Sequence, residues 1–362
     1  MNLSQTAIEA RLIIRWALIA IGGIIFLWFV FITTRAIVRA LLPKEPVLPT
    51  VAFGRLPTPL ATNGAISGAS IEIDTPDGSL PSFPSMVKVY AIPQPSGKIN
   101  SLDIASKRAG QYGINGNPKA LSSTLYRWQD KERPALTITI DIVTGNFNYK
   151  YDWVADPKVL PKSFDKDELL AAGPRAQTFL GQGFSGFNDF KDGEVKSSYV
   201  HISGSERSTV SSPSEANAVE VDVFRKKLES KYSVVSFHPT QSLMRVLVVP
   251  DVPNNSSVDI LQASFTHWAV DFDNGSTYPL KTSSQAFDEL RTNRAYIVSG
   301  KLQGLARVKV TDVQLSYLET ENYSSYLQPI FVFKGQAQSG KTKADFIAYV
   351  PAVSSDWLRS IN

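Results

Sequence analysis

From Trp16 to Thr34 the chain has no charged residue, and Ile, Leu, Phe, Val, Trp and Ala fill most positions. Arg15 and Arg35 close the run on either side. A helix over its nineteen residues would rise about 28 Å, enough for a bilayer core. This predicts one membrane-spanning helix at 16–34, with everything beyond it hung from that anchor. The competing reading is a cleaved signal peptide, whose apolar core spans roughly 7–15 residues and ends at a small-x-small site. Here the run is longer and is followed by Arg35, Ala36, Ile37, Val38 and Arg39, a poor exit. Ala17, Ala20 and Gly23 recur every third residue. They form a candidate helix-partner face, because small residues let helix backbones approach closely in lipid.

Orientation follows less directly. Arg11 and Arg15 precede the run, and Arg35, Arg39 and Lys44 follow it. Long domains translocate largely regardless of such flanking charge. The prolines at 43, 46, 49, 57 and 59 make a stiff spacer into a region rich in Ser, Asn and Thr. That pattern places the large domain outside the cytoplasmic membrane, as a single-pass, extracytoplasmic domain. The reading is therefore a tail at 1–15, the membrane helix at 16–34 and a Pro-rich linker at 35–68. A first α+β unit follows at 69–155 and a second α+β domain at 156–362, itself two helix-plus-sheet units.

The net charge of +4 is mostly local, with +3 of it in residues 1–45. The remaining domain is nearly neutral, which argues against a nucleic-acid surface. The absence of Cys removes disulfides, thiolate metal sites and cysteine nucleophiles together, as well as a lipidated cysteine.

Beyond the linker the hydrophobic period alternates between two and three to four residues. Strands are predicted at 70–74 and 86–92. A helix capped by Asn100 follows, with Leu102, Ala105, Ala109 and Tyr112 on one face, and then strands at 124–128, 135–142 and 146–153. The order recurs. A helix begins at the capping-box-like pair Asp165 and Glu168 and is interrupted at Gly173-Pro174. Strands are then predicted at 195–202, 218–224, 243–249 and 260–272, with Asn274-Gly275 as a hairpin turn. Thr282 with Gln285 caps a third helix, followed by strands at 306–318, 327–333 and 346–350. Strand runs punctuated by single helices indicate α+β, a membrane helix followed by repeated helix-plus-antiparallel-meander units.

No motif in the chain carries chemistry in the right context. Gly335 to Thr342 fits G-x-x-x-x-G-K-[ST] letter for letter. A phosphate loop opens a helix, whereas 345–350 reads as a strand, so this is a hairpin loop. Gly181 to Gly186 matches G-x-G-x-x-G but follows a helix rather than a strand. Asp271 to Gly275 lacks the bidentate acid of a calcium loop. His201, His238 and His267 are far apart and fit no ligand spacing. Ser185 lacks the strand-to-helix elbow of a nucleophile. The strand aromatics, such as Phe147, Tyr149, Tyr317 and Phe331, read as sheet core, with a peptide- or glycan-binding face as the other reading. No catalytic residue, cofactor or metal site is expected.

The C-terminal segments at 282–290, 313–317, 326–333 and 346–352 form an ordered series that resembles the last unit of YycI/YycH-type regulatory proteins. More loosely, they are similar to PepSY-like units. The stretch Val51 to Pro57 is similar to one in uncharacterised single-pass envelope proteins of candidate-phylum bacteria. The first resemblance implies a non-enzymatic regulator that contacts a membrane partner. The expected function is therefore an anchored binding or regulatory module, with the lipid bilayer and a membrane or envelope protein as partners and the oligomeric state open. The alternatives are a structural component of a secretion or surface-fibre assembly, and an envelope hydrolase.

Overall fold

The computed structural model describes residues 16, 21–35, 48–63, 66, 68–161, 166–182, 185–249 and 258–359. The chain divides into two units, residues 1–48 and residues 49–362.

In the first unit, residues 21–35 form a helix, α1, whose apolar side chains are exposed. Residue 16 is helical as well, and residues 17–20 lie outside the described residues. Among the described residues no helix is long and apolar enough to cross a membrane. This corrects the single-pass anchor expected at 16–34, and with it the membrane-bound, extracytoplasmic placement. Of the expected helix-partner face, Ala17 and Ala20 lie outside the described residues. Gly23 lies in α1, and a Cβ there would meet nothing within 4 Å.

The second unit is mostly β, built from two large sheets. The nine-stranded sheet takes four strands from early in the unit: β3 (Lys119–Ala120), β4 (Leu125–Gln129), β5 (Leu136–Asp141) and β6 (Phe147–Tyr151). It takes five later ones: β7 (Val195–Ser203), β8 (Glu206–Val210), β9 (Ala218–Val223), β11 (Met244–Val248) and β12 (Ile260–Phe265). Their order is β3-β4-β5-β6-β12-β11-β9-β7-β8. Alternation makes the sheet two-faced. In β5 and β6 the residues Leu136, Ile138, Ile140, Phe147, Tyr149 and Tyr151 are buried, while Asn148 and Lys150 face outward. Helices α2 (Ser101–Gln111) and α3 (Lys166–Gly181) cover the apolar face through Ala105, Ala109, Ala172, Ala176 and Leu180. Helix α3 runs through Pro174 rather than breaking there. The proline removes the hydrogen bond to the carbonyl of Leu170. Leu170 is exposed, so water can serve that carbonyl.

The eight-stranded sheet collects β1 (Ser70–Ile73), β2 (Met86–Ala91), β10 (Val234–Val235), β13 (Asp271–Pro279), β14 (Tyr296–Ser299), β15 (Arg307–Leu318), β16 (Tyr326–Ser339) and β17 (Thr342–Pro351). Helix α4 (Ser283–Arg291) buries Ala286, Phe287 and Leu290 on one face, against Phe331, Phe333 and Ala348. Its capping box forms as the sequence indicates. Thr282 Oγ1 accepts from the Gln285 amide at 3.2 Å, and Gln285 Oε1 accepts from the Thr282 amide at 2.8 Å. On the other face Ile330, Val332, Leu318 and Tyr349 form a second, smaller core under the segment that carries β10. Tyr349 donates a hydrogen bond to the Ser236 carbonyl at 2.8 Å and pins that segment down.

The fold class therefore differs from the expected series of helix-plus-meander units behind a membrane helix. The first two meanders are fused, because β6 and β12 pair antiparallel from Phe147↔Phe265 to Lys150↔Gln262. One sheet thus spans both sides of residue 155. The strand expected at 260–272 is two strands. After β12 the chain leaves one sheet at Thr266 and enters the other at Asp271. Asn274-Gly275 is no hairpin turn: it is a bulge inside β13, where the register against β2 shifts between Asp271 and Gly275.

Candidate functional site

The two sheets meet where the chain crosses between them, and a cluster of charged groups is buried there. Arg225 follows directly after β9 and Phe224, and its side chain is fully buried. Its Nη1 donates to Asp189 Oδ2 at 2.5 Å, and its Nη2 donates to Glu319 Oε1 at 2.6 Å and to the Trp268 carbonyl at 3.1 Å. Its guanidinium also lies over the Phe190 ring, 4.8 Å from the centroid. Asp189 belongs to the short turn after α3, Glu319 follows β15 of the other sheet, and Trp268 lies in the crossing segment. One guanidinium therefore ties three segments together. His267 Nε2 stands 3.5 Å from Asp189 Oδ2.

The charges in this cluster sustain one another. Burial on its own would raise the Asp189 carboxyl, but the His267 hydrogen bond and the charges of Arg225, His267 and Lys226 hold it below the usual carboxylate range. Burial likewise opposes the charge on Arg225, and Glu319 and Asp189 more than offset it. Three formal charges share a dry site, so removing one member leaves the others uncompensated.

Beside this cluster a cleft of about 690 Å³ opens between the sheets. Its floor is apolar, with Val332 and Ile347 from the eight-stranded sheet and Val234 and Val235 from β10. Its rim is charged. Lys226 and Lys227 continue the chain from Arg225, Lys196 comes from β7 and Lys334 from β16, against Asp192 and Glu194. Lys196 pairs with Glu194 at 3.5 Å and lies over the Phe224 ring at 4.8 Å, and Lys334 donates to Gln314 at 2.9 Å. Lys226 and Lys227 are exposed, and among the described residues neither is in an ion pair. The wall is fixed by Gly193, where a Cβ would lie 1.8 Å from the Phe224 carbonyl oxygen, so the backbones touch there. The cleft has a size typical of ligand pockets, with an apolar floor and a few convergent polar groups.

The motifs singled out in the sequence do not converge. Gly335–Thr342 is the β16–β17 hairpin, with Ser339 paired to Thr342 and Gly340 left-handed at φ +57. Gly181 to Gly186 spans the end of α3 and a short turn, and Gly183 lies outside the described residues. His201 Nδ1 lies 2.8 Å from the Glu215 carbonyl oxygen, His238 is exposed beside Ser236, and only His267 approaches carboxylates. No group of three or more metal-ligating side chains stands together among the described residues. The strand aromatics Phe147, Tyr149, Tyr317 and Phe331 are core. Asp189, Arg225 and Glu319 were not singled out. They lie 36 and 94 positions apart in sequence, and only the crossing of the chain between sheets brings them together.

No family model and no curated protein matches the chain. Among solved structures, the crystal structure of an uncharacterized protein from Eubacterium rectale ATCC 33656 aligns over 78% of this chain and 86% of its own, at 11% identity and a TM-score of 0.36. A likeness at that score carries no argument about fold or function.

Proposed function

We propose that this protein is a non-catalytic binding module whose inter-sheet cleft takes an acidic segment of a partner protein, with regulation of that partner as its role. The observation that carries this reading is the pairing of an apolar floor with unpaired cationic rim groups, Lys226 and Lys227, beside a buried brace that fixes the cleft walls. Apolar side chains of a bound segment would leave water over Val332 and Ile347, and its carboxylates would meet the lysines. Such complementarity sets specificity and association rate more than raw affinity. The resemblance of 282–352 to YycI/YycH-type regulators supports the regulatory role. The His267–Asp189 contact would be the start of a hydrolytic site, but Arg225 already engages the carboxylate and His267 is buried.

The test is fluorescence anisotropy of the full chain with a labelled peptide of alternating glutamate and valine, and with its lysine–valine counterpart. The acidic peptide should bind with a salt-sensitive affinity that Lys226→Glu with Lys227→Glu abolishes. Equal binding of both peptides, or indifference to the charge reversal, would overturn the proposal.

A further inference from the structure

A second cleft, of about 590 Å³, lies on the far side of the β10 segment, and its chemistry differs from that of the first. It is framed by Pro57 to Pro59, by His238 and by the loop from Thr320 to Ser325 that joins β15 to β16. No Lys or Arg is among the residues that line it, and its one carboxylate is Glu321. An anion therefore meets no lining Lys or Arg there.

Its aromatic walls are braced by ring–ring contacts. Tyr296 packs on Phe237 at 5.0 Å, Tyr326 on Phe53 at 5.0 Å and Tyr323 edge-on to Trp268 at 5.6 Å. Tyr323 also donates its hydroxyl to the Ile92 carbonyl at 2.8 Å, and Trp268 Nε1 donates to the Thr320 carbonyl at 2.8 Å. These rings are thus held in place before any ligand arrives, which lowers the ordering cost of binding.

One polar group against this cleft lacks a partner. Gln328 is 1% exposed and lines the cleft. Its Nε2 donates to the Pro57 carbonyl at 2.9 Å. A carbonyl only accepts, so the orientation of the amide is fixed and its oxygen cannot swap into that bond. Gln328 Oε1 finds no donor among the described residues. A buried acceptor without a donor costs free energy and calls for an explanation.

The geometry points to a neutral oligosaccharide as the occupant of this cleft. A sugar ring offers an apolar C–H face to the tyrosines and, once a small turn of the Gln328 side chain brings its buried Oε1 to the cleft, a hydroxyl donor to that oxygen. Its remaining hydroxyls match the uncharged hydroxyl and amide groups of the rim, such as Thr58 and the exposed Asn322. The volume admits more than one ring. The inference stands apart from the acidic-segment reading, since it uses none of the lysines of the first cleft.

Saturation-transfer NMR on the full chain tests it, with cellotriose, maltotriose and chitotriose as neutral probes and glucuronate and lysinamide as charged ones. At least one trisaccharide should receive saturation. Its affinity should fall about five- to tenfold in Gln328→Met, the range expected for one lost hydrogen bond. Tyr323→Ala should weaken it as well. That residue is partly exposed, so this variant reports on the cleft even if Gln328→Met folds poorly. Three outcomes overturn the inference: no transfer to any trisaccharide, transfer unchanged in Tyr323→Ala, or a charged probe that binds more tightly than all three sugars.

Discussion

Replacing Arg225 by methionine removes the guanidinium but keeps much of its volume against the Phe190 ring. Four donated hydrogen bonds disappear, three of them to carboxylates. Asp189 keeps its contact with His267 at 3.5 Å, whereas Glu319, only 7% exposed, is left without a counter-charge. Breaking a buried pair on one side typically costs about 3–5 kcal/mol. For a chain of this size that corresponds to a fall in Tm of roughly 4–7 °C. Calorimetry of the full chain at pH 7 should show this fall. Adding Glu319→Leu should recover much of the loss, since a well-packed apolar pair replaces a buried ion pair at little net cost. A double-mutant cycle reads that coupling directly. A loss below about 1 kcal/mol for Arg225→Met, or a double variant no more stable than the single one, would refute the claim that this residue braces the two sheets.

Three further expectations follow from the same geometry. Gly193→Ala drives a methyl group into the Phe224 carbonyl at the cleft wall; it should cost about 1–3 kcal/mol by overpacking and loosen peptide binding, and an unchanged melting curve would contradict the observed contact. Because the folded-state Asp189 carboxyl is held low, its stabilisation is present above the ordinary Asp value of about 3.9 and is lost as pH falls through the lower folded value. Asp189→Asn should therefore flatten the acid limb of a Tm–pH profile, and parallel profiles would count against that. Lys341→Ala at the β16–β17 turn should change stability by less than about 0.5 kcal/mol and leave ligand binding untouched, and a nucleotide-dependent shift in Tm lost in this variant would reinstate a phosphate loop.

The individual elements were largely legible. Strict alternation in Leu136–Asp141 and Phe147–Tyr151 marks half-buried strands, and Thr282 with Gln285 marks the start of α4. What the sequence could not show is which edges pair. Nothing in Phe147–Tyr151 indicates that its second neighbour is β12, more than 100 residues on, so separate meanders were expected where one nine-stranded sheet exists. The crossing at 266–270 was hidden inside a continuous strand-like run, and the Arg225 cluster depends on that crossing. The apolar run at 16–34 misled for a different reason. Hydropathy averages residues without knowing which of them share one long helix, and among the described residues no helix is long and apolar enough to cross a membrane. The cleft residues carried no signal either, because lysines on a rim look like any solvated face.

Hydrogen exchange of the full chain with and without the alternating glutamate–valine peptide tests the binding site most directly. Amides that slow on binding should cluster at 192–196, 224–235 and the 332–334 and 345–347 stretches of β16 and β17, which border the inter-sheet cleft. The β3–β4 end of the nine-stranded sheet should exchange unchanged. Protection centred at that end, or none anywhere while the peptide binds, would contradict the assignment of the cleft as the binding surface.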